Sequence, residues 1–480
     1  MAEHTHFTPL LEESSIVGEW VRGSICAARQ RYRIAGYCHP SYRPVLEQLR
    51  EDVAYDRVED SQLCAYVRGE KVIDLMVRKH EIASAYTRAS VQKVNSSGKN
   101  MESIVIARLV DQGLVSYETK VGAVWPEYAC NGKENTTIAH VMRHEAGLPF
   151  LSYFPGGDIE PSELTTAAVK AGAVSAKIEK LTPETPPGEV RKYHTMSRGF
   201  LVNEIVRRVD PAGRTIGEIV AQDLAAPLGL SAELSVGLPP ERAGEGVVMG
   251  SAKGAGHFCC VAYCCKGEVE LCNEPPSKCL GVSAANPLAK PLSRALLACA
   301  APVCAPLCAM QETFIDMMTD PVAGFENSSA SVHASARAMA KVGAAIVGDV
   351  DGVRLLSPKG LAAGLANPVQ KTMYLQPSPA MPPTESHHGP WGNMGFYQYG
   401  KDDGDGVLRP GERGGLYGWH GAGGSSFTVE PEKQVSIGFT VTFFNFLVMM
   451  NPMSRRLGVK VLECAEAAAG GATPAAMVRD

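Results

Sequence analysis

The sequence lacks an apolar stretch long enough to cross a bilayer, because its longest apolar run, Leu296 to Met310, is broken by Pro302 and Pro306. It also lacks an apolar core between Met1 and Glu19, so the start of the chain resembles neither a secretory signal nor an arginine-rich transit peptide. These two absences predict a cytoplasmic protein without a membrane span.

A long run of Lys or Arg is missing too, and the formal net charge is -5. Nucleic acids and acidic membranes bind basic surfaces, so we expect neither as a partner. The chain has 480 residues, of which 45% are hydrophobic and 20% are charged. This composition predicts a large core in one big domain or in two interleaved domains.

Cysteine, in contrast, is abundant: nine of the 14 cysteines lie between Cys259 and Cys308. A disulfide framework is one interpretation, but without a secretory signal reduced thiols are favoured. A zinc site is another interpretation of the four cysteines in the run 259–265. Their spacing does not match paired Cys-x-x-Cys ligands, and His257 is the only histidine nearby. We therefore expect free cysteines and no metal site.

The hydrophobic pattern predicts strands near both ends of the chain and helices in the middle. Helices are predicted at residues 42–53, 136–144, 331–347 and 455–469, and over most of 161–235. A hairpin is predicted at 63–75, and a strand pair at 419–429 and 435–444. This order predicts an α+β fold, in which an antiparallel β-sheet built from both chain ends is flanked by helices and a mostly helical domain is inserted between them.

The domain boundaries follow from the same pattern. Residues 1–58 are expected to form an N-terminal extension with one helix, and residues 59–115 and 385–480 the sheet part. Residues 116–384 form the mostly helical part. It includes an insertion at 236–330, rich in Cys, Ala and Pro, for which we expect short helices. We propose that this insertion covers the mouth of a site as a lid or forms a contact between subunits of a homo-oligomer.

Ser96 and Lys99 stand three residues apart where a strongly apolar helical pattern begins, and Gly113 ends that pattern. A serine at a helix start lies near the positive end of the helix dipole, and a lysine three residues later projects from nearly the same face. A lysine in a dry site can accept the proton of the serine, which is a weak nucleophile unaided. The spacing therefore predicts a nucleophile and its base, although a capped helix with a surface lysine has the same spacing.

Several further landmarks follow in order. They are Trp-Pro-Glu-Tyr at 125–128, His-Glu-Ala-Gly-Leu-Pro at 144–149, Pro-Gly at 187–188 leading to Tyr193, Ala-Pro-Leu-Gly-Leu ending at 230, and a glycine-rich strand from Trp419. With the hairpin and the Ser-x-x-Lys helix, they make the chain resemble the serine β-lactamase and penicillin-binding-protein superfamily. Class C β-lactamases and the related esterases and D-aminopeptidases are most similar, over about residues 60–450.

The resemblance implies roles for individual residues. Ser96 would be the nucleophile, Lys99 its base, and Tyr193 the residue that relays a proton to the leaving group. The second family motif is Tyr-x-Asn, and Thr195 stands here at the asparagine position, which puts substrate orientation in doubt. The third motif, Lys-Thr-Gly in β-lactamases, corresponds here to residues 419–421, and a register that begins at His420 is the alternative.

The third motif, Trp419-His420-Gly421, contains no lysine, so a β-lactam carboxylate would lose its usual cation. His420 either takes the place of that lysine or caps the strand. The family mechanism also implies that the backbone N–H groups of Ser96 and Ala422 bind the oxyanion, a contribution of ~3 kcal/mol per donor. No metal or organic cofactor is implied.

These observations predict a serine hydrolase that acts through an acyl-enzyme on a small-molecule ester or amide. A β-lactamase or a D-amino-acid peptidase is the alternative among enzymes, because both would use the same catalytic residues. A non-catalytic scaffold or filament-forming member of the family is the alternative from another class, motivated by the missing asparagine, the missing lysine and the long insertion.

Overall fold

A computed structural model gives the structure of the chain, and the description of the fold is confined to the following residues. They are 16–22, 31–55, 60–79, 86–152, 157–242, 259–261, 270–272, 324–376, 382–386, 389–399, 416–442 and 452–469.

An eight-stranded antiparallel sheet forms the centre of the fold, in the order β1-β2-β4-β3-β16-β15-β14-β13. Its strands are β1 (Ile16–Arg22), β2 (Arg31–Cys38), β3 (Ser61–Val67), β4 (Glu70–Lys79), β13 (Tyr397–Tyr399), β14 (Leu416–His420), β15 (Ser426–Glu430) and β16 (Val435–Val441). Strand β3 pairs with β16, with Ser61 opposite Val441, so the two halves of the sheet come from opposite ends of the chain. The predicted α+β architecture is confirmed.

The hairpin between β3 and β4 turns at Arg68 and Gly69, whose φ angles are 53° and 82°. Positive φ at both central positions is typical of a two-residue hairpin turn, and the prediction is confirmed. Strands β1 and β2 were not predicted. They lie within residues 1–58, for which we expected only a helix, and β2 pairs with β4 at the edge of the hairpin.

The side chains of β3 point alternately into two apolar cores on opposite faces of the sheet. Leu63 and Ala65 face a core formed with helices α1 (Arg43–Tyr55) and α11 (Pro452–Ala469). Cys64 and Tyr66 face the other core, which contains α9 (Ala336–Val347) and the helical part. Because neighbouring side chains of a strand point to opposite faces, the sheet is covered on both sides. Helices α1 and α11 match the predictions at 42–53 and 455–469.

The helical part lies on the α9 side of the sheet. Its helices are α2 (Lys99–Asp111), α3 (Val121–Val124), α4 (Ile138–Met142), α5 (Thr166–Lys170), α6 (Ser175–Lys180), α7 (Ser197–Val209), α8 (Ile216–Ile219) and α10 (Pro358–Leu365). Thr137 caps α4, since its side chain accepts a hydrogen bond from the backbone N–H of His140 at 3.2 Å. Helix α2 is buried over almost its whole length, as its apolar pattern predicts.

Besides the eight-stranded sheet, the described residues form two small three-stranded sheets. One has the order β5-β10-β7, from β5 (Gln92–Lys93), β10 (Val332–Ala334) and β7 (Leu234–Val236). The other has the order β12-β11-β6, from β12 (Thr384–Ser386), β11 (Met373–Leu375) and β6 (Arg191–Lys192). The helix predicted at 331–347 is therefore wrong in its first turn, because residues 332–334 form a strand and Ser335 caps α9.

The insertion is described only in part. Its described residues contain a 3₁₀ turn at Pro240–Arg242 and a strand pair, β8 (Cys259–Val261) with β9 (Glu270–Cys272), so the expectation of short helices alone is wrong there. Most of the Cys-rich segment, and with it the proposed lid or subunit contact, lies outside the described residues. Four other cysteines are free thiols, at positions 38, 64, 130 and 464. Within the ranges given above, no helix has the length and apolarity needed to cross a membrane.

Candidate active site

The predicted nucleophile lies in a tight turn between β5 and α2. Residues Asn95–Gly98 form a 3₁₀ turn, and α2 begins at Lys99 rather than at the serine. Ser96 is half-buried, while Asn95 and Ser97 on either side of it are buried. Gly98 allows this close packing, because a Cβ at that position would lie 2.4 Å from the carbonyl oxygen of Ser328. The turn therefore leaves Ser96 partly exposed while its neighbours in the turn are buried.

Lys99 is fully buried and points back towards this turn. Its Nζ lies 3.4 Å from Oγ of Ser96 and donates hydrogen bonds to the backbone carbonyl oxygens of Thr195 at 2.7 Å and Ser329 at 3.0 Å. Burial lowers the pKa of Lys99 to about 7, the negative charge of Glu102 opposes this change, and the positive charge of Arg198 adds to it. A large fraction of Lys99 is therefore neutral near pH 7 and can accept a proton.

Tyr193 completes the group around the serine. Its hydroxyl donates a hydrogen bond to Oγ of Ser96 at 2.6 Å, and Nζ of Lys99 lies 5.0 Å from the centre of its ring. Burial raises the pKa of Tyr193 to about 12, although hydrogen bonds with Ser96 and with the side chain of Trp419 oppose this. The phenol is thus protonated at neutral pH and can serve as an acid. Sequence reasoning chose these three residues, and the structure brings them together.

The substrate-binding residues predicted at the third motif lie directly beside the serine turn. The ring of Trp419 stacks on that of Tyr193, with centroids 5.6 Å apart and planes 26° apart. Gly421 has no room for a side chain, since a Cβ would lie 2.2 Å from the carbonyl oxygen of Val94. Nδ2 of Asn95 donates to the carbonyl oxygen of Ala422 at 2.8 Å. These contacts hold the end of β14 against the turn that carries Ser96.

Three hydroxyl and amide groups strengthen this junction. Oγ of Ser425 donates to the carbonyl oxygen of Val94 at 2.6 Å and lies 3.0 Å from Oγ of Ser97. Nδ2 of Asn100 lies 3.3 Å from the carbonyl oxygen of Trp419. Within the part of the chain that the structure describes, the backbone N–H groups of Ser96 and Ala422 donate to no protein acceptor.

Thr195 and His420 occupy the positions where the sequence departs from the family motifs. Thr195 contributes its backbone carbonyl oxygen to Lys99, so this position contacts the predicted base without an asparagine side chain. His420 is half-buried at the end of β14, and its Nδ1 lies 3.4 Å from the hydroxyl of Tyr397. An imidazole thus stands where the resemblance places the lysine of a β-lactamase.

Sequence reasoning missed a buried ion pair beside the lysine. Nε of Arg198 donates to Oε2 of Glu102 at 2.7 Å, and both side chains are almost fully buried. The other carboxylate oxygen of Glu102 accepts from the hydroxyls of Ser328 and Ser329. A signal was present in the sequence, because a carboxylate in an apolar helix needs a partner when it is buried. Its partner could not be identified from local spacing.

His144 was also missed as a site residue, because in the sequence it marked only the start of the landmark His-Glu-Ala-Gly-Leu-Pro at 144–149. The residue has a positive φ of 61°, and its ring lies 5.0 Å from that of Tyr193 and 5.5 Å from that of Trp419. Burial holds the pKa of His144 well below its ordinary value. The imidazole of His144 is therefore neutral and packs against the rings of Tyr193 and Trp419.

Among the described residues, no three His, Cys, Asp or Glu side chains are arranged to hold a metal ion.

A serine held between a buried lysine and a tyrosine, beside an antiparallel sheet that helices cover, is the arrangement of a β-lactamase-like fold and site. The chain belongs to the Beta-lactamase family, whose model matches residues 48–457.

A curated relative and two solved structures are similar to this chain. Esterase/beta-lactamase LipL of Mycobacterium tuberculosis (strain ATCC 25618 / H37Rv) is 28% identical over 210 residues, which are 43% of this chain and 46% of that relative. The chain thus aligns with less than half of LipL. A penicillin-binding protein homolog from Caulobacter crescentus is 24% identical with a TM-score of 0.63, over 90% of this chain and 99% of the homolog. A family VIII carboxylesterase is 20% identical with a TM-score of 0.63, over the same shares of the two chains. These structures support the fold.

Proposed function

We propose that this protein is a serine hydrolase that cleaves a small neutral ester or amide through an acyl-enzyme on Ser96. The observation that carries the proposal is the contact of Oγ of Ser96 with the hydroxyl of Tyr193 at 2.6 Å and with Nζ of Lys99 at 3.4 Å. A base with a pKa of about 7 and an acid with a pKa of about 12 thus meet at one half-buried hydroxyl.

Acylation follows from these protonation states. Because Tyr193 donates to Ser96, the proton of the serine hydroxyl is free to point towards Lys99. Neutral Lys99 accepts this proton while Oγ attacks the substrate carbonyl and forms a tetrahedral oxyanion. When the intermediate collapses, the bond to the leaving group breaks and Tyr193 gives that group its proton. The proton held by Lys99 then neutralises the phenolate, and the acyl group remains on Ser96.

Deacylation reverses the proton movements with water in place of the leaving group. Lys99 and Tyr193 together remove a proton from the water as its oxygen attacks the acyl carbonyl, and the proton returns to Oγ as the acid product leaves. In both steps the N–H groups of Ser96 and Ala422 would bind the oxyanion. Each such donor commonly contributes ~3 kcal/mol to transition-state stabilisation. The junction of Asn95 and Ser425 with the third-motif turn supports this assignment, because it fixes Ala422 next to the serine.

The substrate class rests on the third motif. With His420 in place of lysine, the third motif lacks the permanent cation that a substrate carboxylate would bind, whereas an ester or a neutral amide needs none. The names of the relatives agree with this choice, since one is an esterase/beta-lactamase and another a carboxylesterase. A β-lactam or a D-amino-acid peptide is the second candidate, because it would use the same Ser96, Lys99 and Tyr193.

Labelling with a fluorophosphonate and with a fluorescent penicillin tests the proposal, on the wild-type chain and on Ser96→Ala, with peptide mass mapping of the adduct. We expect a fluorophosphonate adduct on Ser96 and little labelling by penicillin. Strong labelling of Ser96 by both reagents would favour the second candidate. No adduct on Ser96 in the folded protein would refute the hydrolase and favour a non-catalytic scaffold.

A further inference from the structure

The buried Glu102–Arg198 ion pair touches every segment that surrounds the general base. Glu102 lies one turn after Lys99 on α2, and Arg198 lies in the first turn of α7, three residues after Thr195. The hydroxyl of Ser329, whose carbonyl oxygen accepts from Lys99, donates to Oε1 of Glu102 at 2.7 Å. The ion pair therefore joins the lysine, through its helix, to both of its carbonyl acceptors.

Arg198 uses all of its donor nitrogens within this network. Besides Nε on Glu102, one terminal nitrogen donates to the carbonyl oxygen of Lys99 at 2.8 Å and lies 3.1 Å from Oγ of Ser103. The other donates to the carbonyl oxygen of Met142 at 3.1 Å and lies 3.3 Å from Nε2 of His144. Such a satisfied network defines one arrangement of its groups. Lysine could not reproduce it, because it lacks the planar fork.

We propose that Glu102 and Arg198 are positioning residues for Lys99: Glu102 orients Ser329, whose carbonyl oxygen holds the lysine, and Arg198 fixes the carbonyl oxygen of Lys99 itself. This inference rests on the proposed function in that Lys99 is taken as the general base. Stability alone does not account for such a pair, because apolar residues often replace a buried ion pair without loss. Its geometry, in contrast, is directed at the atoms that hold the base.

The same two residues are the charges that act on Lys99. Around its Nζ, α2 contributes Glu102, the start of α7 contributes Arg198, and the segment before α7 contributes the protonated phenol of Tyr193. Burial lowers the pKa of His194 to about 4 and holds the pKa of His144 well below its ordinary value. Both imidazoles are therefore neutral at pH 7. Removing the carboxylate charge should therefore lower the pKa of Lys99, and removing both charges should return it towards 7.

The first experiment compares Glu102→Gln and Glu102→Gln/Arg198→Gln with the wild type. The pKa of Lys99 is read from the ¹³C shift of its Cε in protein labelled with [ε-¹³C]lysine, with the signal identified by its loss in Lys99→Met. The acid limb of kcat/KM for p-nitrophenyl butyrate is measured in parallel. We expect Glu102→Gln to move both to lower pH and to reduce kcat by roughly 10- to 100-fold with little change in KM, as expected for a misplaced base. The double variant should return the pKa of Lys99 part of the way towards the wild-type value, because the effect of Glu102 is larger than that of Arg198.

Glu204→Gln is the matched control. Glu204 is a buried carboxylate on α7 that pairs with Arg207 at 2.8 Å and with Arg208, but it is not among the charges that act on Lys99. Its removal should reduce stability and leave the pKa of Lys99 and kcat unchanged. An equal shift in Glu204→Gln, or no shift in Glu102→Gln, would overturn the proposal.

Two further outcomes keep the two proposals separate. If Glu102→Gln does not fold, Ser328→Ala/Ser329→Ala retains the ion pair but releases the segment that holds Lys99. A roughly 10-fold or larger loss of kcat at unchanged KM would support the positioning role, and an unchanged kcat would overturn it.

If Ser96 is not labelled in the wild type while the NMR shifts follow the expected order, the hydrolase proposal fails and the positioning of Lys99 by the ion pair stands.

Discussion

Replacing Tyr193 by phenylalanine removes a single oxygen from the site. The ring that stacks on Trp419 and lies over Lys99 is retained, and Ser96 is exposed enough to replace the lost hydrogen bond with water. The buried side chain of Trp419 also loses its hydrogen bond to the phenol, so we expect the free energy of unfolding to fall by about 1–3 kcal/mol. Catalysis should change far more, because a positioned general acid contributes about 10²- to 10⁴-fold to the rate.

The size of this loss should depend on the leaving group. An alkoxide needs the proton of Tyr193 to depart, whereas p-nitrophenolate is stable without it. In Tyr193→Phe we expect kcat/KM to fall by about 10²- to 10⁴-fold for an alkyl ester and by a clearly smaller factor for the p-nitrophenyl ester of the same acid.

Steady-state kinetics with the two esters measure this difference. Tyr128→Phe is the control, because Tyr128 is a fully buried tyrosine whose hydroxyl donates to Oγ1 of Thr136 at 3.2 Å. It should lose stability without a dependence on the leaving group. Equal losses for the two esters in Tyr193→Phe, or a loss below about 10-fold for the alkyl ester, would refute the role of Tyr193 as the acid.

Three further predictions follow from the site. Because neutral Lys99 is the base and burial lowers its pKa to about 7, kcat/KM should rise with pH through about 7 and then level off. A flat profile over roughly two pH units on either side of this pKa would contradict the prediction. Gly421→Ala should reduce fluorophosphonate labelling by about 100-fold or more, since its Cβ would displace the junction with Val94 by roughly an ångström. Gly458→Ala is the control and should retain labelling, because its Cβ would lie no closer than 3.6 Å to another side chain. His420→Lys should raise the rate of penicillin labelling by roughly 10-fold by supplying a cation for the carboxylate, and an unchanged rate would show that the third motif does not set this preference.

The pattern near the ends of the chain was sufficient to predict the architecture. The hairpin between β3 and β4 has its own turn signal, and β16 has the length and apolarity of a buried strand, so local sequence specified both. In contrast, β10 is only three residues long and runs directly into the cap of α9, so its residues were included in the helix. Strand β1 pairs with β2, and β2 pairs with β4, so this part of the sheet depends on strand pairing rather than on a distinct turn signal.

The proposed catalytic residues could be chosen from the sequence for a similar reason. Ser96 and Lys99 are related by one helical turn, and Tyr193 by a family motif, so each could be recognised from a few neighbouring residues. The groups that hold Lys99 come from Thr195 and Ser329, which are 96 and 230 residues away in sequence. They act through backbone carbonyl oxygens, which no residue type identifies. Their role depends on tertiary structure alone.

The central claim is that Ser96 carries the acyl group of a hydrolysed ester. Rapid acid quench of the full chain during turnover of a p-nitrophenyl ester, followed by intact-mass measurement and peptide mapping, tests it directly. We predict a mass increase equal to one acyl group, located on the peptide that contains Ser96, and none in Ser96→Ala. Turnover that persists in Ser96→Ala, or an acyl group on another residue, would contradict the account.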